Sequence, residues 1–146
     1  MKDEGVSLRY LGLDIGNKRV GVAVGNSDAR IASPLAVIER TTLDHDAAQL
    51  MDLAREYEVE MVIVGLPRNA DNTASEQEAL TRAYAQQLQS STGLPFRFQD
   101  ERYSTAAALR QQQERGVNAK RGRATLDAAA AAVILQDFLD ALEIGN

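Results

Sequence analysis

The 146-residue sequence contains no cysteine, which excludes disulfide bonds and thiolate chemistry from its function. Its longest apolar stretches have the length of a β-strand, so no segment is predicted to cross a membrane as a helix. The opening segment MKDEGVSLRY lacks the apolar centre of a signal peptide. Together these absences are compatible with a cytoplasmic protein, and we predict that localisation.

Basic residues are also fewer than acidic residues. The chain has 16 Lys and Arg residues against 21 Asp and Glu residues, which leaves a net charge of −5 at pH 7. Such a balance disfavours broad electrostatic attachment to a polyanion. A role on nucleic acid would therefore need a local basic patch, or metal ions that reverse the sign of an acidic site.

The rest of the composition is that of an ordinary folded protein, with 45% hydrophobic and 25% charged residues. The length fits one domain that spans residues 1–146. Hydrophobic periodicity predicts strands over 8–14, 20–25, 31–38, 61–65 and 95–98, and helices over 42–57, 75–89 and 105–115. A last helix is predicted to begin at Thr125 or Asp127 and to end near Leu142.

This order of elements predicts an α/β fold. Three consecutive strands with short connections indicate an antiparallel meander, and the two later strands, each reached through a helix, indicate parallel pairing. The expected architecture is a five-stranded mixed sheet flanked by helices. The run 61–65 is apolar at four of its five positions, as expected for a strand that is covered on both faces.

Four acidic residues stand where they could share one edge of this sheet. Asp14 ends the first strand, and Asp100 and Glu101 end the fifth. The carboxyl ends of parallel strands meet at one edge, where open α/β sheets bind their ligands. Asp127 falls within the apolar stripe of the last helix, whose other members are Ala130, Ala131, Ile134, Phe138 and Ala141.

Each acid also has a purely structural interpretation. Asp127 could be a helix-start residue that interacts with the helix dipole. Asp14 could close the hairpin as an Asx turn. The Asp100–Glu101 pair could be solvated at the surface beside Arg102. The shared edge favours the alternative, in which the carboxylates act together.

Clustered carboxylates repel one another unless a cation neutralises them. A set of hard oxygen ligands without His or Cys selects Mg²⁺ or Mn²⁺. Two such ions about 3.5–4 Å apart can activate a water and stabilise the leaving oxygen in phosphodiester cleavage. The acidic cluster therefore predicts a metal-dependent nuclease.

Four segments carry a family resemblance: LDIGNKRVGVAVG, IVGLPRNADNT, QDERYST and KRGRATLDAAAAAVIL. In order and without large gaps, they resemble the motif blocks of the YqgF/RuvX family of Holliday junction resolvases and pre-16S rRNA processing nucleases. The resemblance implies an RNase H-like fold and a role in maturing the 5′ end of the small-subunit ribosomal RNA precursor. It also implies that Asp14, Glu101 and Asp127 are the catalytic metal ligands. The alternation of strand faces does not by itself choose between Asp100 and Glu101, and Asp100 is predicted to support the ligands without binding the metal directly.

Basic and polar residues near these acids are predicted to contact nucleic acid: Lys18, Asn69, Arg102, Lys120, Arg121 and Arg123. The segment NAKRGRA, with its Gly122, is predicted to be a mobile loop that follows a phosphate backbone. The partner is expected to be a structured or precursor rRNA or a DNA junction, and the protein a monomer or homodimer.

Two alternatives remain open at this point. LDIGNKRVGVAVG also resembles the first phosphate loop of the actin, Hsp70 and sugar-kinase superfamily, which would make the chain a nucleotide-binding phosphotransferase module. Those proteins need two such domains to enclose ATP, and the chain is short for that. The other alternative is a non-catalytic RNA-binding assembly factor.

Overall fold

A computed structural model of the chain describes residues 7–67, 76–101 and 120–144. Its five strands are β1 (Arg9–Ile15), β2 (Arg19–Asn26), β3 (Ala32–Glu39), β4 (Met61–Leu66) and β5 (Phe96–Asp100). The described helices are α1 (Leu43–Glu56), α2 (Glu76–Thr92) and a C-terminal helix, here α3 (Lys120–Ile144). The helix predicted over 105–115 lies outside the described residues.

All five strands form one mixed sheet in the order β3-β2-β1-β4-β5. The first three strands pair antiparallel, while β4 runs parallel to both β1 and β5. The predicted meander followed by two parallel strands is therefore confirmed. The topology follows from the connections, because the short turns can only reverse the chain, whereas a helical crossover returns it in the same direction.

Helices cover both faces of the sheet. On one face, α1 and α2 pack against alternate residues of the central strands, including Leu11, Leu13, Val62 and Val64. On the opposite face, α3 packs against a second cluster that contains Tyr10, Ala23 and Ile63. No described helix is both long and apolar enough to cross a membrane.

The C-terminal helix approaches the sheet very closely. Gly12 of β1 lies beneath it, and a Cβ atom there would be 2.7 Å from Leu135 Cβ and 3.0 Å from the Ala131 carbonyl oxygen. Ala130 and Ala131 are buried, as the predicted stripe requires. Ala141 is exposed, so the stripe was predicted one turn too long.

The prediction of where α3 begins was wrong. The helix starts at Lys120, and Asp127 lies in its interior. Residues 120–123 are therefore the first turn of a helix and not a mobile loop. Lys, Arg and Ala favour helix, whereas a single Gly costs about 1 kcal/mol. The long alanine-rich continuation offsets that cost once the helix has nucleated.

A buried polar network joins α1 to α2. Asp46, which is only 3% exposed, accepts hydrogen bonds from the Tyr84 hydroxyl at 2.6 Å and from the Thr41 backbone at 3.1 Å. His45 Nδ1 lies 3.4 Å from the same carboxylate. Burial alone would raise the pKa of Asp46, but these hydrogen bonds outweigh it and lower the pKa below 3.8. Burial and the neighbouring Asp46 raise the pKa of Tyr84.

We expect Tyr84→Phe to lower the free energy of unfolding by about 2 kcal/mol near pH 7, because it removes a hydrogen bond to an ionised, buried group. The ionised carboxylate stabilises the fold above its unfolded-state pKa of 3.8, and this contribution is lost as pH falls through the lower folded-state value. The difference between parent and variant, measured by urea unfolding, should therefore shrink when the pH is lowered from 7 to well below 3.8.

Tyr57→Phe is the matched control, because it removes the same hydroxyl group at the carboxyl-terminal cap of α1. Among the described hydrogen bonds, the tyrosine hydroxyl that donates to Asp46 is that of Tyr84 and not that of Tyr57. Its effect on stability should be small and the same at both pH values. A pH-independent effect of Tyr84→Phe would contradict the assigned role of the ionised Asp46.

Candidate active site

Asp14 is a strand residue that is only 4% exposed. It lies inside β1, which continues through Ile15, and it pairs with Gly21 of β2. Asp14 is therefore not part of the hairpin turn, and the Asx-turn interpretation was wrong. Because alternate strand residues share a face, Asp14 is on the same side of the sheet as Gly12, the side that α3 covers.

Glu101 continues the β5 ladder by one residue. Its backbone N–H donates to the Leu66 carbonyl oxygen at 3.1 Å, so the alternation of faces along β5 extends to it. Glu101 is 1% exposed, whereas the preceding Asp100 is exposed. Strand alternation alone left the choice between these two acids open. The structure places Glu101, and not Asp100, on the buried side. The interpretation of Glu101 as a solvated surface residue was therefore wrong.

Gly65 separates Asp14 from Glu101 across the sheet. It follows Val64, the partner of Leu13 in β1, and it pairs with Gln99 in β5. A Cβ atom on Gly65 would lie 3.2 Å from Glu101 Cγ, so the Glu101 side chain leans over this glycine. The side chain of Ile134 on α3 packs over the same glycine.

Asp127 approaches Asp14 from the other side. The backbone of α3 lies on Gly21, the β2 partner of Asp14, so closely that a Cβ there would overlap the Asp127 carbonyl oxygen and lie 3.1 Å from the Ala128 nitrogen. Asp127 is 5% exposed. Since it is eight residues into the helix, a helix-dipole role at the first turn does not explain it.

The three acids predicted as a set are thus buried on one face of the sheet, around Asp14. Asp127 lies over the glycine on one flank of Asp14, and Glu101 leans over the glycine on the other. The main chains of β1 and β5 are about 10 Å apart, since one strand lies between them. The space over both glycines is taken up by α3, by the Asp127 backbone at Gly21 and by the Ile134 side chain at Gly65.

Arg19 is a neighbour of this set whose contact with Asp127 was not predicted from the sequence. Its Nε donates to Asp127 Oδ2 at 2.8 Å, and the side chains of Arg19 and Asp127 are 23% and 7% exposed. The signal was present in the sequence, because Arg19 shares the strand face of Gly21 and Ala23. What was missing was the position of α3 above that face.

The turn between β1 and β2 is held from the opposite direction by Arg40. Its backbone N–H donates to the Lys18 carbonyl oxygen at 2.9 Å, and its guanidinium donates to the Gly16 carbonyl oxygen at 2.5 Å. The guanidinium also stacks on the Tyr84 ring, 3.7 Å from its centroid. These contacts fix the turn that connects Asp14 to Arg19.

The residues predicted to contact nucleic acid are placed only in part. Lys18 is exposed in the β1–β2 turn, near the three acids. Lys120, Arg121 and Arg123 belong to the first turn of α3. Asn69 and Arg102 lie outside the described residues.

The donor chemistry of the three acids fits a hard divalent cation, since all the ligands offered are carboxylate oxygens. The site also already accommodates positive charge, because a guanidinium lies on Asp127. Among the described residues, however, no three acidic, His or Cys side chains are grouped closely enough to enclose an ion. Side chains would therefore have to move toward one another for all three to bind the same ion.

Solved structures with a similar fold include the RuvC protein of T. thermophilus in complex with a Holliday junction substrate, with a TM-score of 0.55 and 16% identity over 93% of this chain and 96% of that one. The fowlpox virus Holliday junction resolvase has a TM-score of 0.53 and 15% identity over 92% of this chain and 99% of that one. Both support the RNase H-like fold predicted from the sequence.

Sequence relatives match at much higher identity. One from Anaeromyxobacter sp. (strain Fw109-5) is 42% identical over 133 residues, which cover 91% of this chain and 97% of the relative. Another, from Symbiobacterium thermophilum, is 44% identical over 92% of this chain and 93% of its own length. Both are provisionally named pre-16S rRNA nucleases. The family model described as "RuvX: Holliday junction resolvase" matches residues 8–141, and the chain therefore belongs to the RuvX family.

Proposed function

We propose that this protein is a divalent-metal-dependent nuclease that hydrolyses phosphodiester bonds in the precursor of 16S ribosomal RNA. The observation that carries the proposal is the burial of Asp14, Glu101 and Asp127 on one face of the sheet, around Asp14. Three acidic side chains with at most 5% exposure are costly to bury unless cations or donors compensate them. Membership of a resolvase family and the names of the sequence relatives support the nuclease assignment.

In this proposal, the carboxylates of Asp14, Glu101 and Asp127 hold Mg²⁺ or Mn²⁺. When bound, the metal supplies an activated water and stabilises charge on the leaving oxygen. The protein contributes a rigid frame, because Asp14 is fixed within a central strand that is hydrogen-bonded on both sides. The close packing of α3 excludes bulk water from the carboxylates of Asp127 and Glu101.

The exposed Lys18 lies at the turn beside these acids, where it can contact a substrate phosphate. Arg102 and the basic residues at the start of α3 are proposed to extend this contact. A few cations close to the site would suffice, since the net charge of the protein is negative. We propose a cytoplasmic location, where precursor rRNA is available. Family membership favours the nuclease over the phosphotransferase alternative.

The test is a cleavage assay on three end-labelled substrates of similar length: an RNA that carries the 5′ extension of the 16S precursor, a single-stranded DNA and a four-way DNA junction. We expect the RNA to be cut in the presence of Mg²⁺ or Mn²⁺. Chelation by EDTA should stop cleavage, and added metal should restore it, because in this proposal the activation of water and the stabilisation of the leaving oxygen depend on the metal.

Preference for the junction over the RNA would shift the proposed substrate to branched DNA while leaving the metal-dependent nuclease in place. Cleavage that persists undiminished in EDTA would contradict the role assigned to the three acids. Tight RNA binding without cleavage under any metal condition would favour the non-catalytic assembly factor.

A further inference from the structure

We propose that Arg19 is a positioning residue that competes with the divalent metal for Asp127. In the structure, the guanidinium of Arg19 occupies an oxygen of Asp127, at 2.8 Å. Arg19 would thus neutralise the buried carboxylate before the metal arrives and would be displaced from it when the metal binds. This inference rests on the proposed function, in which Asp127 is a metal ligand.

The carboxylate of the Arg19–Asp127 pair is buried. Asp127 has a 7% exposed side chain, and its backbone is pressed against Gly21, so the carboxylate cannot turn toward bulk water without moving α3. A buried carboxylate that has lost its counter-charge is strongly destabilising. The fold therefore benefits from a cation at this position in the absence of metal.

Arg19 is placed so that its side chain can leave Asp127. Arg19 is the first residue of β2, two positions before Gly21, and its side chain rises on the face of the sheet that α3 covers. Its side chain is 23% exposed, so the guanidinium can leave Asp127 and reach solvent without unfolding of the protein. A long side chain at a strand end can make this movement, whereas the main chain is held by the turn contacts of Arg40.

The Arg19 contact and the proposed metal use the same carboxylate, so the two binding events are thermodynamically linked. The Nε hydrogen bond uses Oδ2 of Asp127, one of the two oxygens through which this acid can bind an ion. Placing a divalent cation and a guanidinium on one carboxylate also brings like charges together. Two ligands that exclude each other at one group are coupled unfavourably, and the coupling is reciprocal. Arg19 must therefore weaken metal binding, and bound metal must weaken the Arg19–Asp127 contact.

The experiment is calorimetric titration of Mn²⁺ into the parent protein, Arg19→Gln, Asp127→Asn and the double variant, with no nucleic acid present. We expect Arg19→Gln to bind Mn²⁺ at least about fivefold more tightly than the parent, which is the lower end of typical coupling between two ligands. Its unfolding temperature should fall without metal and recover more than that of the parent when Mn²⁺ is added.

Arg55→Gln is the matched charge control, because it makes the same substitution at a side chain of α1 that is 70% exposed and lies on the opposite side of the sheet from α3. It should change Mn²⁺ affinity much less than Arg19→Gln does. In the Asp127→Asn background, Arg19→Gln should have no further effect on affinity, since the group for which the two cations compete is gone.

The possible results distinguish failure of the Arg19 competition from failure of the proposed metal site. If Asp127→Asn weakens Mn²⁺ binding but Arg19→Gln does not strengthen it, the competition is refuted while the metal site stands. If Asp127→Asn leaves Mn²⁺ binding unchanged, Asp127 is not a ligand, and both proposals fail at this residue. A loss of stability in Arg19→Gln that is equal with and without Mn²⁺ would identify the ion pair as purely structural.

Discussion

Replacement of Asp14 by Asn is expected to reduce cleavage by at least about 10³-fold, which corresponds to roughly 4 kcal/mol of transition-state stabilisation. Asp14 is the central acid of the three, with Asp127 over the glycine on one flank and Glu101 over the glycine on the other. Asn retains the shape of the side chain and removes the negative charge that holds a metal ion. The loss should therefore appear in the rate constant of single-turnover cleavage at saturating metal.

The same substitution should leave the unfolding temperature unchanged or raise it. In the absence of metal, three neighbouring carboxylates repel one another, and removal of one charge relieves that repulsion. Retained stability together with lost cleavage would separate a catalytic role from a structural one. Thermal unfolding monitored by circular dichroism, without added metal, measures this directly.

Asp52→Asn is a suitable control for Asp14→Asn. Asp52 is on the outer face of α1, where its side chain is 78% exposed, and the variant changes the net charge by the same amount. Its cleavage rate should equal that of the parent. Cleavage by a pure Asp14→Asn preparation at a rate within about tenfold of the parent would overturn the assignment of Asp14.

The second large effect is expected for Gly21→Ala. The added methyl group would overlap the carbonyl oxygen of Asp127 and lie 3.1 Å from the Ala128 nitrogen, and both of these atoms belong to the backbone of α3. A backbone cannot rotate away as a side chain can, so the whole helix must shift. We expect a loss of about 3 kcal/mol in the free energy of unfolding, or about 10 °C in unfolding temperature.

Gly65→Ala provides the comparison. Its methyl group would overlap side-chain atoms of Ile134, Cδ1 first and then Cγ1 at 2.8 Å, and would lie 3.2 Å from Glu101 Cγ. Side chains can change rotamer, so the cost in stability should be about half as large or less. Cleavage should nevertheless fall, because the side chains of Ile134 and Glu101 must both shift to make room for the methyl group. Equal unfolding temperatures for Gly21→Ala and the parent would show that α3 does not rest on β2 as closely as described.

The sheet could be predicted from the sequence because its strands are defined by local patterns. Val20 and Val22 alternate with smaller residues along β2, and the apolar run of β4 is typical of a strand that is covered on both sides. The antiparallel or parallel direction of the strands followed from the lengths of the connections. The start of α3 was missed for the opposite reason, since Gly122 reads locally as a loop residue, and only the long helix that follows overrides it.

The candidate site was likewise predicted from the sequence only in part. The sequence determined by itself that Asp14, the Asp100–Glu101 pair and Asp127 are the acids to consider, because strand ends and helix stripes are periodic features of the chain. Only the tertiary structure decided that Glu101 rather than Asp100 is buried, and that Arg19 contacts Asp127. Both depend on where α3 lies above the sheet. That position is set by glycines at which two backbones meet, a contact between residues more than 100 positions apart that no local pattern encodes.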